Sequence, residues 1–177
     1  LTNKTFDEVL TIAQEKGYAE ADPAFDVDGI DAAHKTLILS ALAYGKMPDI
    51  KSLSIKGIRN ITINDIKNCN DLGYKIKLLG NSLLLDNVNG NKDLFCSVEP
   101  WLIPHNYGLA NVSGVTNAVQ IESSLAGPVM ITGAGAGGEP TASAVLADII
   151  DFANEAKSYP FGRKSADIES NVKSISY

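Results

Sequence analysis

The hydrophobic pattern of the chain changes its period near Gly73, and this change constrains the fold more than any other feature. Before Gly73, apolar residues recur at the three- and four-residue spacing of amphipathic helices. After it, short apolar runs are separated by Gly, Asn and Pro, as strands and tight turns require. A long apolar run of helical length follows the strands. This order predicts an α+β fold, with helices packed on one face of a mixed, largely antiparallel sheet.

Helix boundaries are predicted where a capping residue precedes an apolar stripe and a glycine follows it. Thr5 and Glu8, for example, have the spacing of a capping box. The predicted helices cover residues 5–16, 31–44, 62–72 and 141–156. The predicted strands cover residues 74–79, 83–88, 95–103, 117–123 and 128–132, with a turn at residues 80–82 between the first two. We expect residues 1–157 to form one domain and residues 158–177 to form a weakly ordered tail.

The charge of the chain is unevenly distributed. The net charge of the 177 residues is −6, and residues 1–31 carry eight acids and two bases, whereas the rest carries thirteen of each. An acidic balance argues against a nucleic-acid partner, and no apolar run approaches the ~18–20 residues of a membrane span. Two cysteines without C-x-x-C spacing suit a reducing compartment, so we expect a cytoplasmic location.

The segment GYAEADPAFDVDGIDAAHK, residues 17–35, is the first candidate for chemistry. Asp31 and Lys35 are four residues apart on a predicted helix, so a carboxylate and an ammonium can pair on one face. Such a lysine is a positioned proton donor, and Glu20 and Asp26 could face a substrate ammonium. Two alternatives stay open. The pair can be solvated surface, and the acids can bind calcium, although the spacing of a calcium loop is absent.

The segment VMITGAGAGGEPTASAVLAD, residues 129–148, is the second candidate. Gly133, Gly135 and Gly138 match G-x-G-x-x-G between a predicted strand and a predicted helix, an arrangement that favours an anion such as a pyrophosphate. The acid-bearing second strand of a complete dinucleotide unit does not follow. The alternative is a tight strand-to-helix turn in which glycine permits close packing.

The remaining reactive residue types indicate no further site. His34 and His105 lie far apart in sequence, so no metal site is predicted. The helical spacing turns His34 away from the face of Asp31 and Lys35. Cys69 and Cys96 are interpreted as packing residues.

Together the two segments resemble homoserine dehydrogenases. The substrate-site pattern of that family is roughly GY-x-E-x-DP-x-x-D-x-x-G-x-D-x-x-x-K, and the later segments GYKIKLLG, VEPWLIP, NAV and GAGAGGEPTASAVLAD follow the family's order. The resemblance covers nearly all of residues 1–157. The positions that match the pattern are Gly17, Tyr18, Glu20, Asp22, Pro23, Asp26, Gly29, Asp31 and Lys35.

The resemblance implies an enzyme of the aspartate pathway that interconverts L-aspartate 4-semialdehyde and L-homoserine with NAD(P)H. It implies that Glu20, Asp26 and Asp31 bind substrate, that Lys35 donates the proton with Asp31 beside it, and that the protein forms a homodimer through the sheet. The residues implied to contact the cofactor are Gly133, Gly135, Gly137 and Thr141.

The family's nucleotide-binding domain would precede Leu1, so the chain is expected to be the catalytic part of a longer enzyme and inactive alone. Two other functions remain open: an acidic module that binds cations or another ligand, and a dimerisation module without catalysis.

Overall fold

The computed structural model describes residues 4–17, 19, 22–156, 159 and 161–175. Helices in this part of the chain are Phe6–Glu15 (α1), Ala24–Val27 (α2), Ile30–Tyr44 (α3), Ile63–Asp71 (α4) and Gly138–Ala153 (α5). Strands are Lys46–Pro48 (β1), Ser54–Ile55 (β2), Tyr74–Asp86 (β3), Lys92–Pro104 (β4), Thr116–Ser123 (β5), Gly127–Ala134 (β6) and Glu169–Val172 (β7). The four predicted helices are therefore confirmed, with ends displaced by up to three residues.

The chain divides into two compact units. The α3 unit contains residues 22–61, 78–101 and 157–177, and the α5 unit contains residues 1–21, 62–77 and 102–156. Strands β3 and β4 have residues in both units, and each other helix and strand given above lies within one unit.

Local capping explains where two of the helices begin. The hydroxyl of Thr5 accepts a hydrogen bond from the backbone N–H of Glu8, and the Glu8 carboxylate accepts one from the backbone N–H of Thr5. Thr62 and Asp65 make the same reciprocal pair at the start of α4. Because each pair satisfies two backbone donors that helix geometry leaves free, both helices begin at the residue after the threonine. These bonds also lower the pKa of the Glu8 and Asp65 carboxyls.

The α3 unit is built around one face of helix α3. That face carries small buried residues, among them Ala33, Thr36 and Ser40. Small side chains let a helix lie close to a sheet, and the buried cluster continues into Leu53 before β2 and into β4. The β4 members of the cluster are Leu94, Cys96 and Val98.

Strand β3 corrects one prediction. The predicted turn at residues 80–82 is wrong, because β3 runs without interruption from Tyr74 to Asp86. A Cβ atom on Gly80 would overlap the side-chain hydroxyl of Thr36 on α3. Glycine therefore serves the close approach of helix and strand at this position and does not mark a change of chain direction.

The strands form mixed sheets, and the predicted α+β class is confirmed. β5 and β6 pair antiparallel over their whole length, whereas β2 pairs parallel with β4 and β1 pairs parallel with β7. β4 also neighbours β3, to which the connection 87–91 joins it. Parallel pairs require a crossover connection, and α4 lies in the chain both between β1 and β7 and between β2 and β4.

The segment after residue 158 contributes a strand that the sequence analysis did not predict. The Lys46 ammonium lies 2.6 Å from the Glu169 carboxylate, where β1 and β7 begin. Beyond β7, the backbone N–H of Cys96 donates to the Ser174 hydroxyl at 2.8 Å, and the backbone N–H of Ile175 donates to the Leu94 carbonyl at 3.0 Å. These bonds hold residues 169–175 along β1 and β4.

Helix α5 has apolar side chains that the described residues leave exposed. Ile149 and Phe152 are 57% and 87% exposed, and Val145, Leu146 and Ile150 are also more than half exposed. The 16 residues of α5 are too few to cross a membrane, and no other helix in the described ranges has the necessary length and hydropathy.

We predict that Gly80→Ala lowers the free energy of unfolding by about 1–3 kcal/mol, because the new methyl group must displace Thr36 or move β3 away from α3. Urea unfolding measures the change. Gly133→Ala is the matched control, since Gly133 lies in strand β6 with nothing within 4 Å of the position of a Cβ atom. Equal losses in the two variants would contradict the close approach of α3 and β3.

Candidate functional site

The turn between α2 and α3 presents the acids of the first candidate segment. Gly29 joins the two helices in the left-handed conformation, with φ at 84°. A Cβ atom there would also lie 3.2 Å from the Val98 side chain in β4. Glycine is therefore required twice, by the backbone conformation and by the close approach to β4, and it places Asp31 in the first turn of α3.

Asp31 and Lys35 form the ion pair that their spacing predicts. The Lys35 Nζ atom donates to Asp31 Oδ2 at 2.6 Å, and the side chains are 53% and 36% exposed, respectively. Both lie on the face of α3 opposite Ala33, Thr36 and Ser40, which are buried against the sheet. The pair is therefore held on a rigid element while both charged ends remain accessible to a ligand.

The other predicted substrate contacts have different positions. Asp26 lies in α2 with its side chain exposed. Among the described residues, no hydrogen bond or ion pair engages its carboxylate, so the carboxylate is available to an external cation. Glu20 lies outside the described residues. Asp22 accepts a hydrogen bond from the backbone N–H of Ala24 at 3.1 Å, which satisfies a free donor at the start of α2.

Arg59 is a member of this region that the sequence analysis missed. Its Nε atom donates to Asp28 Oδ1 at 2.5 Å, and its Nη2 atom donates to Asp28 Oδ2 at 3.2 Å. The hydrogen bond to Asp28 is the main cause that raises the pKa of the Arg59 guanidinium, and the nearby charge of Asp22 adds to it. The two partners are 31 residues apart, so no local spacing indicates their contact.

Residues 54–59 connect the acidic turn to strand β4. The backbone N–H of Lys56 donates to the Val98 carbonyl at 2.7 Å, and the backbone N–H of Ile58 donates to the Val27 carbonyl at 2.9 Å. Gly57 lies so close to the backbone of Val27 and Asp28 that a Cβ atom would overlap both. We call residues 54–59 the brace, because their bonds run from the sheet on one side to the α2–α3 turn on the other.

The Glu99 carboxylate fixes the sheet end of the brace. It accepts a hydrogen bond from the Ser54 hydroxyl at 2.5 Å and forms an ion pair with Lys56 at 3.2 Å. The bond from Ser54 is the main cause that lowers the pKa of the Glu99 carboxyl, and Lys56 lowers it further. The carboxylate form of Glu99 therefore stabilises this attachment.

His34 contributes to packing on α3. Its ring lies edge-on against the ring of Phe25 in α2, with the ring centres 5.4 Å apart and the planes at 61°. This is a favourable aromatic geometry, and it ties α2 to α3 beside the turn.

The second candidate segment is a strand-to-helix turn in the α5 unit. Contacts or backbone conformation within the segment's own unit explain two of its glycines. A Cβ atom on Gly135 would overlap the Asn117 side-chain amide, and Gly137 has φ at 119° before α5 begins. Thr141 closes the first turn of α5, since its N–H and its hydroxyl both donate to the Gly137 carbonyl, at 3.1 and 2.9 Å. Close packing therefore accounts for part of the glycine pattern.

Packing does not explain Gly133 in this segment. Nothing lies within 4 Å of where its Cβ atom would be, and the same is true of Gly138 at the start of α5. The bare backbone at these two positions leaves room for a flat ring or a phosphate to approach the helix N-terminus. The segment could therefore accommodate part of a dinucleotide, such as a ring or a phosphate group, against its backbone. Its residues belong to the α5 unit, whereas Asp31 and Lys35 belong to the α3 unit.

Cys96 behaves as a packing residue. Its side chain is fully buried, and burial is the main cause that raises the pKa of its thiol. Ser82 lies 3.3 Å from its sulfur and Ser40 lies 4.0 Å away. Across the described ranges, no three His, Cys, Asp or Glu side chains group together as ligands for a metal ion.

Comparison with known proteins gives one consistent result. The homoserine dehydrogenase family model matches residues 1–150. A homoserine dehydrogenase of Neisseria gonorrhoeae is 49% identical over 148 residues, which are 84% of this chain and 33% of that protein. One from Pseudomonas aeruginosa is 44% identical over 160 residues, 90% of this chain and 36% of that protein. The chain thus spans about a third of the length of the curated relatives it matches.

A solved structure agrees with the sequence relatives. The crystal structure of a homoserine dehydrogenase from Thiobacillus denitrificans matches 95% of this chain with a TM-score of 0.77 and 43% identity, and the match covers 36% of that chain.

We predict that the brace loses its stabilising effect in acid. The folded-state pKa of Glu99 lies below its unfolded value of 4.5, so its contribution is present above about pH 5 and is lost as the pH falls through the folded-state pKa. Urea unfolding of the wild type and of Glu99→Gln should differ at pH 7 by about 1 kcal/mol or less, and the difference should disappear as the pH falls through the folded-state pKa. A difference that does not change with pH would contradict this role.

Proposed function

The chain belongs to the homoserine dehydrogenase family, and on this basis we propose that it forms the substrate-binding and catalytic segment of an NAD(P)-dependent enzyme that interconverts L-aspartate 4-semialdehyde and L-homoserine. The observation that carries the proposal is the accessible ion pair of Asp31 and Lys35 at the start of α3. Both residues match the family's substrate-site pattern.

Lys35 is the proton donor in this proposal. Reduction of the aldehyde adds a hydride to the carbonyl carbon, and the carbonyl oxygen must gain a proton to become the hydroxyl of homoserine. The Lys35 ammonium gives that proton, and in the reverse direction the neutral amine takes it back. Asp31 holds Nζ at 2.6 Å, which keeps the ammonium in one position before transfer.

Asp26 and Glu20 bind the substrate ammonium. Both substrates are amino acids, so each carries a positive charge that must be held away from Lys35. The exposed Asp26 carboxylate has no partner among the described residues and can accept this charge. Asp31 contacts the reacting hydroxyl or lies close to it. The concentration of acids in residues 1–31 gives the region a negative potential that attracts a cationic group.

Gly133, Gly135, Gly137 and Thr141 form the part of the chain that faces the cofactor. NAD(P)H, when bound, supplies the hydride. Gly133 leaves open backbone for the approach, whereas Gly135, Gly137 and Thr141 shape the turn that precedes and begins α5. The structure of a hyperthermophilic archaeal homoserine dehydrogenase mutant in complex with NADPH supports NAD(P)H as the cofactor, with 31% identity, a TM-score of 0.65 and coverage of 88% of this chain and 42% of that chain.

The assembly that we propose is a cytoplasmic homodimer formed through the sheet. Its support is the exposed apolar surface of β5 and β6, where Ile121, Val129 and Ile131 are 47%, 42% and 60% exposed. Two cysteines without a disulfide suit a reducing compartment.

We predict that Lys35→Ala lowers kcat by about 10²–10⁴ and changes the KM for homoserine much less, because a proton donor acts mainly in the transition state. The enzyme for the test is a chimera in which the chain replaces the corresponding segment of the Neisseria gonorrhoeae homoserine dehydrogenase. Reduction of NADP⁺ with homoserine as the varied substrate measures kcat and KM. Lys67→Ala, an exposed lysine on α4, is the control and should keep normal kinetics. An inactive wild-type chimera would refute the proposed function, and an unchanged kcat in Lys35→Ala would refute the proton-donor role.

We also predict that the purified 177-residue chain does not oxidise NADPH with aspartate semialdehyde. It spans 33% of the length of the Neisseria relative, and the resemblance places the nucleotide-binding domain in the remaining length. The chimera, assayed at the same concentration, is the positive control. Measurable turnover by the chain alone would contradict the prediction.

A further inference from the structure

We propose that Arg59 is a positioning residue for the substrate-binding turn. Its guanidinium binds the carboxylate of Asp28 and thereby holds in place the turn that presents Asp26 and Asp31. The inference rests on the proposed function, because it assigns to Arg59 an effect on the binding of the substrate ammonium.

The geometry of the contact restricts the turn more than a single charge would. Both oxygens of Asp28 accept hydrogen bonds from Arg59, at 2.5 and 3.2 Å. Two bonds between a planar guanidinium and a planar carboxylate fix the direction of both groups as well as their separation. Asp28 ends α2 and directly precedes Gly29, so its position determines how α3 begins.

The brace makes Arg59 a rigid support. The backbone of Lys56 is bonded to Val98 in β4, and the backbone of Ile58 is bonded to Val27 in α2. Gly57 leaves no space between the brace and the turn. Arg59 therefore extends from a backbone that is attached to the sheet on one side and to the turn on the other. Its side chain adds an ion pair with Asp28 to the backbone bonds between the brace and the turn.

Arg59 also determines which carboxylate is available to a cation. Among the described residues, Asp28 pairs with Arg59 and Asp31 pairs with Lys35, whereas the Asp26 carboxylate has no such partner. Removing Arg59 would free a second carboxylate two residues from Asp26. The turn would also lose the two bonds that fix its position, so Asp26 would hold the substrate ammonium less tightly.

The alternative is that the Arg59–Asp28 pair is an exposed ion pair with no effect on substrate binding. Arg59 and Asp28 are 46% and 43% exposed, and exposed ion pairs often contribute little to stability. If Arg59 positions the turn, its removal weakens homoserine binding alone. If the pair has no role, its removal changes no kinetic parameter. If the pair supports the structure in general, its removal changes kcat and both KM values.

The experiment uses Arg59→Met in the chimeric enzyme, which keeps the apolar stem and removes the charge. The expected result is a KM for homoserine that rises three- to tenfold, with kcat and the KM for the cofactor within about twofold of the wild type. Arg59→Lys should recover part of the loss, since it restores the charge without the planar contact. Lys92→Met is the matched control, because it breaks the exposed ion pair between Lys92 at the start of β4 and Asp86 at the end of β3, in the same unit.

Asp28→Asn tests the partner. The double variant Asp28→Asn/Arg59→Met should have a KM for homoserine no higher than that of Arg59→Met, because both changes remove one interaction. A KM equal to the product of the two single effects would overturn the proposal, and so would an unchanged KM in Arg59→Met.

Hydrogen exchange separates this inference from the proposed function. In Arg59→Met, the amides of Asp28, Gly29 and Ile58 should exchange several times faster than in the wild type and in Lys92→Met, because their hydrogen bonds hold the turn and the brace. Faster exchange in a chimera whose wild type is inactive would refute the proposed function while supporting the attachment by Arg59. Unchanged exchange would overturn the positioning role even in an active enzyme.

Discussion

Helix α3 lies close against the strands of its unit because its inward face is made of small residues. Ala33, Thr36 and Ser40 are buried on this face, and Gly80 in β3 meets Thr36 where a larger residue would overlap it. Because Gly80 has no side chain, β3 can lie close to Thr36 on α3. The distance between helix and strand at this point therefore depends on both residues. The buried cluster of the unit joins Ala33 on the same face of α3 to Leu94 and Cys96 in β4.

The chemistry of the α3 unit depends on that packing. Because one face of α3 is fixed against the sheet, the opposite face holds Asp31 and Lys35 at the surface in a defined position. Directly before α3, Gly29 adopts the left-handed conformation and lies close to Val98 in β4. Glycines and other small residues thus position the side chains that bind the substrate and transfer the proton in the proposed mechanism. These small residues take no part in either step.

Local signals account for the features that the sequence predicted well. The capping box of Thr5 and Glu8 and the pairing of Asp31 with Lys35 each involve residues three or four positions apart, so helix geometry alone brings them together. The prediction for Gly80 was wrong because glycine is compatible with both a turn and a close approach. Only the position of Thr36 distinguishes these two possibilities, and no pattern around Gly80 contains it.

By itself, the sequence determined the helices other than α2, the class of the fold, the family resemblance and the i, i+4 pair of Asp31 and Lys35, because each depends on short-range spacing or on a contiguous motif. Tertiary structure alone decided that Arg59 meets Asp28 and that residues 169–175 lie along β1 and β4. Those contacts join residues tens of positions apart, and their distance in space is determined by the packing of α3 and the pairing of strands. Local hydrophobic periodicity carries no information about such distances.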